Sequence, residues 1–272
     1  MVMNETFDIK RLGRLIKYEV TNYIPNYFKT LLIFASVIAA VWIFSLTVDF
    51  DVCPHSRGAL VGSLFVLAMV LSPFIIYKDM NNRKKGYFYA MIPASTLEKL
   101  LSMVVLCVLI VPLLTYAVLT GTDLLLWLLS KVGIGPFLHM EFYNPFTTTV
   151  KIVDDDYLLP CIYPVFDSII YLVNLIVYSI MFNTIFCKNK VLKTILFNMA
   201  MSFAFVILTA VVVNVTTPEF WEDMFEGLVE WLDGKTDVEL FGYLMTACRC
   251  LTILMSMAFL TITYFRIKKV NY

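Results

Sequence analysis

The sequence predicts an all-α fold, that of a polytopic integral membrane protein with six transmembrane helices and both termini in the cytoplasm. Apolar residues make up 60% of its 272 residues and charged residues only 15%, and the mean hydropathy is +0.80. An average soluble domain has about 45–50% apolar and about 25% charged residues, because its surface must be largely polar. The composition therefore excludes a soluble globular protein, a disordered chain and a small disulfide-stabilised scaffold.

Six long stretches are almost free of charged residues, and each is long enough to cross a bilayer as a helix. A hydrocarbon core about 30 Å thick needs roughly 20 residues at 1.5 Å per residue. The strands of a membrane barrel would instead give segments of about ten alternating residues, a pattern that the sequence lacks. The predicted spans are residues 30–48, 58–77, 97–122, 167–187, 194–216 and 243–265.

The basic residues predict the orientation of these spans. Residues 1–29, 78–99, 188–193 and 266–272 together carry 16 of the 21 Lys and Arg residues and five acidic residues, a net charge of +11. The rest of the chain carries five basic and 16 acidic residues, so the net charge of zero is a cancellation. The positive-inside rule places the basic segments in the cytoplasm, and the pattern suits a bacterial inner membrane. The sequence shows no cleavable signal peptide, and we expect the first span to act as an uncleaved insertion signal.

Residues 1–28 are predicted to form a cytoplasmic amphipathic helix that lies in the membrane interface, followed by a single six-span domain over residues 29–272. Leu12, Leu15 and Ile16 lie on one helical face, with Lys and Arg residues on the other. We expect Pro25 to break this helix and to turn the chain into the first span. The helix is interpreted either as a membrane anchor or as an elbow that also contacts a cytosolic partner.

The cytoplasmic loop between the second and third spans is the most informative stretch. Ser95 and Glu98 have the spacing of a capping box, which predicts that the third span begins at Ser95. Residues 78–90 could form a short amphipathic helix along the membrane surface. The loop is either a basic segment that binds lipid phosphates or a docking element for a soluble protein. A basic cluster of Arg83, Lys84 and Lys85 is followed by an aromatic run that begins with Tyr87 and Phe88.

Two long segments and a short loop between the first and second spans are predicted to lie on the outer side. Residues 123–167 are expected to be irregular with some membrane contact, and their aspartates at 154–156 are interpreted as a solvated charge run rather than a cation site. Residues 217–239 show helical periodicity with an acidic face and predict a helix in the outer leaflet. Cys53 and Cys161 both fall in outer loops, where an oxidising compartment would permit a disulfide.

Charged residues are rare within the predicted spans, and a few polar residues there suggest helix contacts or a pathway. Tyr171, Asn174 and Tyr178 form a stripe at helical spacing in the fourth span, which fits helix packing as well as a transport path. Arg249 lies in the last uncharged stretch, and a charge in the hydrocarbon is unfavourable unless it is paired or reaches the interface. It lies either at the outer interface or opposite an aspartate at the outer end of another span, Asp123 or Asp167.

No catalytic, metal-binding or nucleotide-binding motif is visible in the sequence. The histidines, His55 and His139, fall in outer loops and form no zinc-binding pair. The sequence at 234–236 ends like a phosphate-binding loop, but Val229 stands where that loop requires glycine. We therefore expect no enzymatic activity, no cofactor and no metal in this chain, and no nucleic-acid partner.

The layout resembles that of a type-2 ABC transporter permease, the membrane subunit of an exporter. The matching features are an amphipathic helix before the first span, six spans, a coupling loop between the second and third spans, and an outer amphipathic helix before the sixth. The segment from Tyr87 to Lys99 is similar to an aromatic, Leu-Pro-Ala-Ser and Glu-Lys string of some bacterial permeases. The 45-residue connection between the third and fourth spans departs from the short link usual in that family.

The resemblance implies a mechanism and a set of partners. Two such subunits, identical or different, would form the pathway, and separate cytosolic ATPase subunits with ATP and Mg²⁺ would dock on residues 78–90. The expected docking residues are Arg83, Lys84, Lys85, Tyr87 and Phe88. The alternative is a non-transport membrane protein that acts in self-protection, as an accessory subunit or as a scaffold.

Overall fold

The computed structural model describes residues 7–48, 54–80, 86–132, 149–154, 157–162, 165–215 and 237–269. In these residues it contains six helices that are long and apolar enough to cross a membrane. These candidate spans are Ile9–Phe44, Gly58–Ile76, Thr96–Lys131, Asp167–Ile185, Lys190–Val211 and Met245–Lys269. The chain is therefore a helical, multi-pass integral membrane protein, as its composition predicts.

Eight α-helices, a π-helical turn and one hairpin make up the described chain. The turn, Leu106–Ile110, lies within the third span and joins the helices before and after it into one continuous rod. The helices are α1 (Ile9–Val48), α2 (Pro54–Ile76), α3 (Gly86–Met91), α4 (Thr96–Val105), α5 (Val111–Lys131), α6 (Val165–Ile185), α7 (Lys190–Val215) and α8 (Asp237–Lys269). The strands β1 (Thr149–Asp154) and β2 (Tyr157–Ile162) pair antiparallel.

The first helix is continuous across Pro25, so the predicted break at this residue is wrong. Proline removes one backbone donor and crowds the preceding turn, but packing on both sides can hold the helix together. Leu15 before the proline and Tyr27 and Leu31 after it are buried. The hydroxyl of Tyr27 is also hydrogen-bonded to Thr115 Oγ1 at 2.9 Å. At 40 residues, α1 is roughly 60 Å long, about twice the thickness of a bilayer core.

The predicted start of the third span is confirmed. Ser95 caps α4 and forms the complete capping box with Glu98. The preceding loop contributes only the six-residue helix α3 to the described chain, which is shorter than the helix expected over residues 78–90.

The connection after the third span is more regular than expected. The helix continues to Lys131 because the apolar residues 124–129 extend it by about two turns. The hairpin of β1 and β2 follows, and its register pairs Thr149 with Ile162 and Asp154 with Tyr157. The expectation of irregular structure is therefore wrong for these segments. The aspartates at 155 and 156 and most of the predicted outer helix over 217–239 lie outside the described residues.

The core lies between α1, α2, the third span and α6. Its fully buried side chains include Leu31, Met69, Leu106, Leu119 and Ile176. Helices α7 and α8 contribute little to this core, and most of their apolar side chains are exposed. Exposed apolar side chains along a spanning helix are suited to contact with lipid or with another membrane helix.

Candidate functional site

Buried polar side chains are concentrated at the end of the bundle that holds residues 7–19, 77–80, 95–102 and 188–193, which we call the basic end. Glu98 lies at the centre of the first group. Arg11 donates to it twice, from Nε to Oε2 at 2.7 Å and from Nη2 to Oε1 at 2.6 Å. The Asp8 and Ser95 backbone N–H groups donate to the same carboxylate at 2.8 and 2.9 Å.

This arrangement gives Glu98 two functions in the fold. It completes the capping box of α4, and it ties the first turn of α1 to the start of the third span. Glu98 is fully buried and the Arg11 side chain is 23% exposed. Short, two-pronged bonds between a guanidinium and a carboxylate are among the strongest hydrogen bonds in proteins. The sequence predicts the cap, but the partner of Glu98 from α1 is evident only in the structure.

A second group surrounds the fully buried carboxylate of Glu19, on α1. The Tyr77 hydroxyl donates to Glu19 Oε2 at 2.9 Å, and Ser102 Oγ lies 3.2 Å from Oε1. Sequence reasoning missed this site, although a signal exists: Glu19 lies four residues after Leu15, on the apolar face of the helix. An acidic residue in that position is expected to have buried hydrogen-bond partners.

Aromatic rings shield the Glu19 group from the surroundings. The ring of Tyr77 contacts those of Tyr23 and Tyr89 edge to face, with centroids 5.8 and 6.3 Å apart. Lys99 Nζ lies 5.5 Å from the centroid of the Tyr89 ring. Burial, and then the Glu19 carboxylate, raise the pKa of the Tyr89 hydroxyl well above its ordinary value, so it stays protonated.

Lys190, at the start of the fifth span, is hydrogen-bonded to the backbone of Tyr77. It is buried, and its Nζ donates to the Tyr77 carbonyl oxygen at 3.0 Å and to Asn183 Oδ1 at 2.7 Å. Tyr77, the residue after α2, is therefore bonded to α1 through its hydroxyl and to α7 through its carbonyl.

A cavity of about 510 Å³ lies beside these groups, between the first turns of α1 and the segment before α4. Its residues are Arg11, Arg14, Leu15, Tyr18, Ile92, Pro93 and Ala94. The segment between the second and third spans is thus anchored at both ends and has a recess at its side.

The structure describes the predicted docking residues only in part. Arg83, Lys84 and Lys85 lie outside the described residues, and Tyr87 and Phe88 lie in α3 with side chains that are not described. Their role in docking stays a prediction.

Arg249 pairs with Asp167, which is one of the two partners that the sequence suggests. Its Nη2 donates to Asp167 Oδ2 at 2.7 Å, and its Nε donates to Oδ1. Asp167 is fully buried in the first turn of α6, whereas the Arg249 side chain is 34% exposed. The ion pair joins α6 to α8 at the end opposite to the basic end.

The three residues of the polar stripe on α6, Tyr171, Asn174 and Tyr178, differ in their hydrogen-bond partners. The Tyr178 hydroxyl donates to Asn198 Oδ1 on α7, which fits helix packing. Tyr171 is exposed on the same helix. Asn174 Oδ1 is buried and has no hydrogen-bond partner within the part of the chain that the structure describes.

The cysteines give no disulfide in the described chain. Cys53 lies outside the described residues, and Cys161 lies in β2 with a side chain that is not described, so their disulfide stays a prediction. Cys107, Cys187, Cys248 and Cys250 are free thiols. Among the described residues, no three His, Cys, Asp or Glu side chains are grouped so that they could hold a metal ion.

No family model, no curated protein and no solved structure matches this chain. The sequence and the structure identify it as a polytopic helical membrane protein with six candidate spans.

Proposed function

We propose that this chain is the membrane-spanning permease subunit of an ABC-type exporter, driven by a separate cytosolic ATPase that docks on residues 78–90. One observation carries the proposal furthest: the segment between the second and third spans is bonded to α1 at both of its ends. Tyr77 holds Glu19 at one end, and Glu98 holds Arg11 at the other. A segment anchored in this way is suited to pass a displacement on to the spans.

The coupling follows from these contacts. The ATPase subunits, which hold ATP and Mg²⁺, change their distance from one another during turnover and move the docked segment. The movement passes through the Tyr77–Glu19 and Glu98–Arg11 bonds to α1, α2 and α4. Docking must differ in affinity between the two states of the permease, because a partner that binds both equally shifts neither. In this scheme the chain itself is not an enzyme.

The basic and aromatic residues of the segment over 78–90 are suited to bind a soluble protein such as the ATPase. The segment carries Arg83, Lys84 and Lys85, followed by Tyr87 and Phe88. Aromatic and arginine residues are enriched in the energetic centres of protein interfaces. We expect an acidic groove on the ATPase, a pathway formed by two permease subunits of the same or different sequence, and a location in a bacterial inner membrane.

The experiment is a pull-down of the tagged chain from its native membrane in mild detergent, followed by mass spectrometry. The expected result is a stoichiometric second chain whose own sequence contains a phosphate-binding loop. Replacing both Tyr87 and Phe88 with alanine should abolish its recovery while membrane insertion persists. The matched control replaces Phe203 and Phe205, two exposed aromatic residues of α7, and should retain the partner.

Two results would contradict the proposal. One is an intact, monodisperse chain that carries out its activity with no ATPase bound, which would indicate a non-transport protein in self-protection, accessory or scaffold roles. The other is full recovery of the ATPase with the Tyr87 and Phe88 double variant, which would place docking elsewhere.

A further inference from the structure

A second cavity, of about 550 Å³, lies between α2, α6 and α8 and is partly open to the surroundings of the bundle. Phe65, Leu172, Met255 and Phe259 form most of its apolar wall. Binding sites for small molecules commonly have volumes of about 300–1,000 Å³, mainly apolar walls and a few polar groups that orient the ligand. The dimensions and composition of this cavity match that description.

The polar atoms of the cavity come from one face of α6, and one of them is unsatisfied. Tyr178 already donates to Asn198, whereas Asn174 Oδ1 is buried with no partner in the described chain. A buried acceptor without a donor is unfavourable, because it has lost its bonds to water. The Asn174 oxygen is therefore suited to receive a hydrogen bond from a bound molecule.

The charges near the cavity favour an uncharged ligand. Asp167 immediately precedes Ser168 of the cavity wall, and its carboxylate is fully paired with Arg249. The guanidinium and carboxylate neutralise one another, so neither supplies a net charge to attract an ion. An acyl chain of the bilayer could fill the apolar part, but it has no donor for Asn174.

We propose that this cavity binds an uncharged, mainly apolar molecule with a hydroxyl or amide N–H group, which enters from the bilayer and donates to Asn174 Oδ1. Phe65 on α2 and Met255 and Phe259 on α8 contact its apolar part. The proposal is independent of the exporter function, because it requires neither an ATPase nor a second subunit.

Two matched probes test the hydrogen bond directly. The first is hexadecanamide with a photoreactive diazirine in its chain, and the second is its N,N-dimethyl derivative, which has no N–H donor. The full chain is labelled in lipid nanodiscs, and the labelled peptides are identified by mass spectrometry. We expect the primary amide to label α2, α6 and α8 roughly three- to tenfold more than the dimethyl amide, the difference that one hydrogen bond makes.

Variants then assign the effect to Asn174. Asn174→Leu should reduce labelling by the primary amide to the level of the dimethyl amide and leave the latter unchanged. Thr209→Val, a polar-to-apolar change on the exposed face of α7, is the control and should change neither. Leu172→Trp should reduce labelling by both probes, because it fills the cavity.

The comparison of probes on the unmodified chain tests the proposal even if a variant fails to fold. Equal labelling by both probes would overturn it and indicate a groove filled by lipid chains. Labelling that is confined to helices other than α2, α6 and α8 would overturn it as well.

Discussion

The ion pair between Arg11 and Glu98 should stabilise the start of the first helix against local opening. In Arg11→Ala, the fully buried Glu98 keeps two backbone donors, from Asp8 and Ser95, and loses both bonds to the guanidinium. Breaking a buried ion pair by removing one partner costs about 3–5 kcal/mol. Because the Arg11 side chain is 23% exposed, water screens part of the interaction. We therefore expect Arg11→Ala to lower the free energy of local opening at the start of α1 by about 2–3 kcal/mol.

The loss should be confined to the contact between α1 and α4. Hydrogen exchange followed by mass spectrometry, on peptides that cover residues 7–18, measures the local opening of this segment. A loss of about 2–3 kcal/mol corresponds to exchange that is faster by roughly 30- to 150-fold. Peptides from α6 should exchange at the rate of the unmodified protein.

Arg14→Ala is the matched control. Arg14 lies one turn further along α1, is exposed, and its Nε is hydrogen-bonded to the Lys10 carbonyl oxygen at 3.4 Å. It has the same charge and side chain as Arg11, but the structure shows no hydrogen bond from Arg14 to Glu98. If both variants accelerate exchange equally, the effect is one of charge or helix propensity, and the reasoning about Glu98 is refuted. In addition, Arg11→Ala combined with Glu98→Ala should cost less than the sum of the single variants.

Two further predictions concern the other polar contacts. Tyr77→Phe leaves Glu19 Oε2 buried without its donor, so it should lower the free energy of unfolding in detergent by about 1–3 kcal/mol. The control, Tyr18→Phe, changes an exposed residue and should lower it by less than about 0.5 kcal/mol. Equal shifts of the unfolding midpoint in both variants would contradict a structural role for the Tyr77 hydroxyl. Asp167→Asn leaves Arg249 without its anion and should reduce the yield of folded protein on size-exclusion chromatography. Adding Arg249→Met to the same chain should restore most of that yield, because no charge is then left unpaired. A double variant with no better yield than Asp167→Asn alone would show that the pair contributes more than mutual neutralisation.

The helical membrane fold could be predicted from the sequence because the solvent imposes it. Within hydrocarbon, backbone groups must be satisfied inside the segment, so uncharged stretches of about 20 residues become helices. The start of the third span could also be predicted, because the capping box of Ser95 and Glu98 is a local sequence pattern. The continuity of α1 across Pro25 could not be predicted, because it depends on the packing of Tyr27 and Leu31 against other spans.

The buried polar groups at the basic end depend on contacts between residues that are far apart in the sequence. Arg11 and Glu98 are 87 residues apart, and Tyr77 and Lys190 are 113 apart. Periodicity places the arginine on the polar face of an interfacial helix and the acid in a helix cap, and neither position identifies a partner. The pairing of Arg249 with Asp167 was among the alternatives because charges within spans are rare, which leaves few candidate partners.

Tyr77 makes the segment between the second and third spans part of the bundle. Its hydroxyl is bonded to Glu19 on α1, and its carbonyl oxygen is bonded to Lys190 on α7. A loop that served only to bind lipid phosphates would need neither bond, because exposed cations suffice for that function. Any displacement of the segment must instead move α1 and α7 with it or break buried hydrogen bonds, which is costly in a low-dielectric interior. These bonds are what the proposed exporter function requires of the segment, because a displacement by a docked partner would then reach α1 and α7.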